Sequence, residues 1–201
     1  MGKLYVNKKK KETSLLDTAF ELFTTKGLTK TSISDIVSNA GVAKGTFYLY
    51  FKDKYDLRNH LISHKSSQMF KKAIAQMKLE KKEHDFESDI IFVVDNIINQ
   101  LCDNKSTLSF ISKNLSWGVF KNAITTRSSE KDVDFADVYN MIIESAPNTV
   151  KDPEIMVYMI IELVSSTCYS AILYSEPCDI QILKPYLYKS IKHILHDHID
   201  Y

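Results

Sequence analysis

From residue 15 onwards, apolar side chains return every three or four positions. Leu15, Leu16, Ala19, Phe20, Leu22 and Phe23 form one face of a helix. Gly27 predicts its end, because glycine accepts the left-handed backbone that closes helices. A second, shorter helix follows. Ser32 is placed as its N-cap with Asp35 three residues on, the spacing of a capping box, and Ile33, Ile36, Val37 and Ala40 form its inner face. Gly41 ends it, and a third short helix is expected from about Ala43 to Tyr50, with Phe47 and Phe51 plugging the core of a three-helix head. Asp53 then caps a long fourth helix whose buried side includes Leu57, Leu61, Met69, Ala73 and Met77.

The polar stretch Glu80 to Asp85 reads as a loop. Further helices are predicted over about 86–102, 106–126 (broken or continuous), 132–145, 153–175 and 179–197, with Pro147, Pro153 and Pro177 at their boundaries, where proline is tolerated. No segment alternates as a strand does. The expected fold class is all-α, a small N-terminal domain over residues 1–52 followed by a larger helical domain over 53–201. The low punctuation content, 5 Gly and 4 Pro in 201 residues, agrees with that class.

Charge adds what periodicity does not. The whole chain carries a formal net charge of only +1. Through Lys54, however, 10 lysines face 5 acidic residues, whereas the remainder has 16 basic and 20 acidic residues. A basic head on an acidic body is the asymmetry expected when the head alone meets phosphate. The three cysteines, Cys102, Cys168 and Cys178, match no metal-binding spacing and read as reduced thiols of a cytoplasmic protein. The start, MGKLYVNKKKK, lacks a secretory apolar run. The longest uninterrupted apolar stretch, Ile155 to Ile161, is too short to span a bilayer, so no membrane partner is expected.

Two short helices joined by a glycine turn, behind a basic N-terminal segment, are a helix-turn-helix. In this motif the second helix enters the major groove and the first braces it. The string from Thr31 to Leu57, TSISDIVSNAGVAKGTFYLYFKDKYDL, resembles the TetR/AcrR family of repressors. The resemblance rests on Thr31-Ser32, the Gly41-Val42 turn, the run Lys44-Gly45-Thr46-Phe47-Tyr48, Tyr50-Phe51 and Lys52-Asp53-Lys54. It is close over roughly the first 60 residues; beyond them only length and helical character agree.

The resemblance implies roles position by position. Thr31 and Ser32 would hold a backbone phosphate through hydroxyls and free amides. Lys44 would reach a base edge or a phosphate, Gly45 would allow close approach, and Thr46 and Tyr48 would contact bases and phosphates. Tyr50 would contact phosphate, and Lys54 would anchor the flanking backbone. Lys8 to Lys11 reads either as a flexible DNA arm or as a solvated tail. Two positions depart from the family pattern: Leu49 stands where an aromatic is common, and Ala43 replaces a capping serine.

The resemblance further implies a regulator, most often a repressor, that binds a palindromic operator of double-stranded DNA as a homodimer and is released by a small hydrophobic or amphipathic effector. The nearly all-apolar segment Glu154 to Tyr174 and the stripe Leu183, Leu187, Ile191, Ile194 point to the two C-terminal helices as the dimer interface. Candidates for an effector pocket are Trp117, Phe120, Tyr139, Tyr158, Met159 and Cys168, with Glu144 or Glu162 relevant to a cationic effector. The enzyme class is disfavoured. No nucleophile motif, glycine-rich phosphate loop or CxxC is present. In the C-terminal HILHDHIDY, His193 and Asp197 share a helical face at four-residue spacing, but no third ligand is evident in the body, so neither a metal nor a cofactor is expected.

Overall fold

The structure is a computed structural model and describes residues 3–79, 85–114, 139–140 and 143–199. It is all-α. Eight named helices run in order: α1 (Lys3–Thr25), α2 (Ile33–Asn39), α3 (Lys44–Tyr48), α4 (Lys54–Leu79), α5 (Phe86–Asp103), α6 (Lys105–Asn114), α7 (Pro153–Tyr174) and α8 (Ile180–His198). Residues 139–140 and 143–144 are also helical. Among the described residues there is no named strand, only an isolated antiparallel bridge between Val150 and Ile199. The expected loop at 80–84 and most of the helices expected over 115–138 lie outside the described residues.

The chain divides into two compact units, Met1–His64 and Lys65–Tyr201. In the first, Leu15, Ala19, Ile36, Phe47, Leu57 and Leu61 are fully buried, so the apolar faces of α1 to α4 close on one another. The ends of these helices follow from local chemistry. Gly27 adopts φ +88° and its N–H donates to the Leu22 carbonyl at 3.2 Å, a backbone that favours glycine. The predicted capping box is present: Ser32 Oγ accepts from Asp35 N–H at 3.0 Å, and Asp35 Oδ2 accepts from Ser32 N–H at 2.9 Å. Asp53 Oδ1 accepts from the N–H groups of Tyr55 and Asp56, each at 2.8 Å, and starts α4.

One expectation changes. Lys8 to Lys11 is no flexible arm but part of α1, which begins at Lys3. Lysine is a good helix former, and neither glycine nor proline interrupts residues 3–25.

In the second unit a core cluster joins α4, α5, α7 and α8 through residues such as Ala73, Ile98, Met156, Ala171, Leu187 and Leu195. The α8 stripe faces this core: Leu187 and Ile191 are buried, with Leu183 and Ile194 at its edge. One turn before Leu187 sits Lys184, a buried cation in an apolar row. Its ammonium donates to Asp95 Oδ1 at 2.6 Å and Asn99 Oδ1 at 2.7 Å, and the Tyr188 hydroxyl donates to the same Asp95 oxygen. Burial alone would push the Asp95 carboxyl up; the hydrogen bonds from Lys184 and Tyr188, the lysine charge and Asn99 outweigh it and leave the carboxyl below its ordinary value.

The helix α7 departs from the sequence expectation in a different way. Its uninterrupted apolar run is short, but the 22-residue helix, with a mean hydropathy of 1.6 over its most apolar stretch, is long and apolar enough to cross a membrane by composition. A core helix of a globular protein meets the same test. Only 22% of its most apolar stretch is buried within one copy of the chain.

Candidate functional site

The head presents α3 on a braced platform. Ser14 Oγ on α1 donates to the Ala40 carbonyl at the end of α2 (3.2 Å). Lys26 donates to Asp35 Oδ2 at 2.8 Å. That hydrogen bond, followed by those from Ser32, holds the exposed Asp35 carboxyl down at about 2. The turn between α2 and α3 is fixed by Gly41 at φ +66° and by the Val42 N–H donating to the Val37 carbonyl at 3.0 Å. Beyond it α3 runs for five residues. Its single inward anchor is Phe47, fully buried and edge-on to Tyr48 with ring centroids 5.4 Å apart. Ala43, its N-cap, makes no side-chain capping bond.

The candidate DNA residues fall into two groups. Lys44, Gly45 and Tyr48 are exposed and Thr46 is half-buried; all four sit on α3. A Cβ added at Gly45 would meet no protein atom within 4 Å, so nothing inside the chain requires glycine there.

The others are engaged within the head. Thr31 is buried, and its hydroxyl donates to the Gly27 carbonyl at 2.8 Å. Ser32 is occupied by the capping box. Tyr50 donates its hydroxyl to the Lys8 carbonyl at 3.0 Å, with the Lys8 ammonium 5.9 Å from its ring centroid. Lys54 donates to the carbonyls of Leu28, Thr29 and Thr31 at 3.0, 3.2 and 3.0 Å. Leu49, which the sequence marked only as a departure from the family pattern, stands out by its exposure. It is 77% exposed, the most exposed large apolar side chain of the head, and the only signal for it was its place at the end of α3.

The second unit contains an apolar cavity of about 140 Å³. Helix α5 contributes Ile90, Val93, Val94, Ile97 and Leu101 to its wall; α7 contributes Met156, Val157, Ile160, Ile161, Val164 and Ser165. Met69 and Phe70 of α4, Ile111 and Ser112 of α6, and Leu195 of α8 complete most of the lining. Among the described residues none that lines it is charged. The polar groups are the hydroxyls of Ser66, Ser112, Tyr139 and Ser165. Ser66 is buried, and its hydroxyl has no hydrogen-bond partner among the described residues.

Of the candidate pocket residues, Tyr139 lines this cavity, and burial pushes its phenol up. Tyr158 and Met159 do not line it; both are about two-fifths exposed on the outer side of α7. Cys168 is fully buried in the core cluster, where burial raises its thiol to about 11. Trp117 and Phe120 lie outside the described residues. Glu144 and Glu162 do not line the cavity.

Among the described residues no three His, Cys, Asp or Glu side chains gather as a metal site. The C-terminal histidines serve as fasteners. His196 Nε2 lies 3.0 Å from Glu87, and His198 Nδ1 lies 2.7 Å from the Lys151 carbonyl.

Residues 15–61 match the family of bacterial regulatory proteins, tetR family. The chain is 38% identical over 80 residues to the fatty acid metabolism regulator protein of Bacillus subtilis (strain 168), covering 40% of this chain and 37% of that protein. It is 31% identical over 93 residues to the HTH-type transcriptional regulator AcrR of Shigella flexneri, covering 46% and 40%. The chain thus matches well under two thirds of the length of these curated relatives.

Solved structures extend the likeness of fold to nearly the whole chain. A TetR-family regulator from Streptomyces coelicolor superposes with a TM-score of 0.65 at 14% identity, covering 94% of this chain and 99% of that one. The regulator FadR from Bacillus subtilis, solved in complex with stearoyl-CoA, gives 0.55 at 19%, covering 89% and 96%. These relatives and neighbours are named as transcriptional regulators, not as enzymes. The capped helix-turn-helix head is thus similar to the tetR family of bacterial regulatory proteins over residues 15–61, and the chain as a whole shares the fold of a solved TetR-family regulator.

Proposed function

We propose that the protein is a cytoplasmic, ligand-responsive repressor that binds a palindromic operator as a homodimer and is released by a small hydrophobic or amphipathic effector. The observation that carries this reading is one chain holding both an outward-facing α3 with Lys44, Thr46 and Tyr48 and a cavity whose described lining is apolar. The cavity favours a sensor over a DNA-binding protein of the same fold without a ligand. Residues 1–52 act as the DNA-binding domain and 53–201 as the ligand-binding and dimerisation domain. FadR of Bacillus subtilis, with its stearoyl-CoA, supports an effector bearing a long apolar portion.

Dimerisation is supported by the outer faces of α7 and α8. Ile155, Tyr158 and Met159 expose between 41% and 52% of their surface, and Ile182 and Tyr186 expose 60% and 71%. Exposed large apolar side chains on two neighbouring helices are the kind of surface a partner covers. A two-fold partner would present two α3 helices to half-sites about one turn of DNA apart.

In the repressor mechanism Lys44 and Tyr48 contact DNA, while Thr31, Ser32, Tyr50 and Lys54 hold the platform whose backbone amides and side chains meet phosphate. Helix α4 carries both Lys54 and the cavity residues Ser66, Met69 and Phe70, so an effector that shifts α4 alters the spacing of the two recognition helices. The effector must bind the DNA-free conformer better than the DNA-bound one.

Fluorescence anisotropy on DNA from upstream of the protein's own gene, against scrambled DNA over a salt series, tests the reading. The expected result is sequence-selective, salt-sensitive binding at one dimer per palindrome. Weak binding without preference, followed by selection from random DNA that enriches no palindrome, overturns it.

A further inference from the structure

Helix α1 starts at Lys3, yet the first of its described side chains to be buried is Leu15. Roughly three turns of helix therefore stand in front of the core of the head. From Lys3 to Ser14 this overhang carries five lysines, Lys3 and Lys8 to Lys11, against one acid, Glu12. Leu15, Ala19 and Phe23 mark the buried stripe of α1. Lys8 and Lys11, seven and four residues before Leu15, prolong that stripe beyond the core. Lys10, nine residues before Ala19, lies half a turn round, on the opposite side. All three are exposed, and among the described residues no ion pair joins Lys8 or Lys11 to an acid. Like charges three residues apart repel on a helix, so the arrangement costs the free protein stability.

A tertiary contact fixes where the overhang lies. The Tyr50 hydroxyl donates to the Lys8 carbonyl at 3.0 Å, and the Lys8 ammonium stands 5.9 Å from the Tyr50 ring centroid. Tyr50 is two residues past Tyr48, the last residue of α3. The five residues of α3 rise only roughly 7.5 Å, whereas the major groove is about 12 Å wide. A cation pinned just past the end of α3 therefore reaches the phosphate rim of the groove, not its floor.

We propose that Lys8 and Lys11 form a preset helical clamp on the backbone phosphates bordering the groove that α3 enters. The clamp sets affinity and salt dependence and reads no sequence. Because the lysines already stand on a helix, little ordering is lost when they bind. The proposal rests on the reading of α3 as the DNA-contacting helix, but it asks only for a duplex, so it is separable from operator selectivity.

The test is fluorescence anisotropy of the full chain on a mixed-sequence duplex of about 30 base pairs, from about 50 to about 300 mM KCl. Lys8→Gln combined with Lys11→Gln should weaken binding at least about tenfold at low salt. It should reduce the salt slope by about 1.8 per head, about 3.6 for a dimer seated through both heads. Glutamine keeps the helix propensity of lysine, so the melting temperature should not fall. Should it fall, the two single variants carry the test, each with about half the change in slope. Lys10→Gln should change affinity less than about threefold, and Lys8→Arg with Lys11→Arg should keep the parent's slope. An unchanged slope in the glutamine variants, an equal loss in Lys10→Gln, or a lost slope in the arginine variant overturns the proposal.

A palindrome enriched from random DNA adds the location. Some phosphates whose ethylation blocks the parent should become indifferent in the glutamine double variant; finding none overturns the clamp. If no palindrome is enriched while the slopes differ as stated, the operator reading falls and the clamp stands. A palindrome bound equally by the parent and the glutamine double variant removes the clamp and leaves the operator reading.

Discussion

The ammonium of Lys54 donates to the carbonyl of Thr31 at 3.0 Å. Two further carbonyls, of Leu28 and Thr29, accept from the same nitrogen, so this lysine gathers the segment between α1 and α2 at the start of α4. Lys44, exposed on α3, has no such task. The two lysines should therefore fail differently. Lys44→Ala should weaken operator binding with the melting temperature unchanged. If Lys44 meets a phosphate, the substitution should reduce the salt slope of binding by about 0.9 per half-site, about 1.8 for the dimer. Lys54→Ala should lower both affinity and melting temperature, by about 1–2 kcal/mol of stability. Paired anisotropy and thermal melts on both variants check this; equal stability of the two would contradict the assignment.

The capping box at the start of α2 gives a stability prediction with a pH signature. Ser32→Ala should cost about 1 kcal/mol in denaturant titrations. Asp35 has a folded-state carboxyl near 2, below the ordinary 3.8, so it is stabilising in its ionised form. That contribution is fully present above pH 3.8 and is lost as pH falls through 2. Asp35→Asn should accordingly melt below the parent at pH 6, with the gap closing as the pH is lowered towards 2. A gap that is constant with pH would exclude the charge as its cause.

The pair in the body is asymmetric. The Lys184 side chain is 11% exposed, that of Asp95 39%. Asp95→Ala strands a buried ammonium, and the expected loss is about 2–4 kcal/mol. Lys184→Met instead replaces the buried cation with an apolar chain of similar length. It leaves Asp95 half in water with the Tyr188 hydroxyl still donating, and should change stability by less than about 1 kcal/mol. Urea denaturation of the two single variants decides; the reverse order would refute the argument.

Dimerisation is tested on the outer face of α7 and α8. Ile155→Glu combined with Tyr186→Glu adds charge where each side chain is more than half exposed, so one copy should fold with unchanged helicity. Light scattering after size-exclusion chromatography should then report the mass of one chain where the parent gives two. A variant that stays dimeric would move the interface elsewhere.

The head was legible in the sequence because its signals are local. Ser32 with Asp35, Gly27 and Gly41 are chemistry readable within a few residues, and Phe47 and Phe51 leave a small helix one way to face. The roles of Thr31, Tyr50 and Lys54 were less legible. Their partners are backbone carbonyls up to 42 residues away, and a carbonyl has no letter in the sequence. The cavity was legible only as a type. Its walls are Val, Ile, Leu and Met on several helices, the residues that also fill cores. Of the candidates singled out, Tyr139 lies on the wall, while Tyr158 and Met159 belong to the opposite side of α7. The all-round apolarity of that helix concealed which side was which. Lys184 interrupts an otherwise apolar row, and its partner on α5 could not be named without the fold.

The Lys184–Asp95 contact joins positions 89 residues apart, and its asymmetry gives sequence drift a direction. A lineage that first exchanges the lysine for methionine passes through a stable intermediate and is then free to change the aspartate. A lineage that first loses the aspartate meets a valley at once. Homologues that have abandoned the pair should therefore include chains with an apolar residue at 184 and an acid still at 95, while chains keeping the lysine without the acid should be scarce.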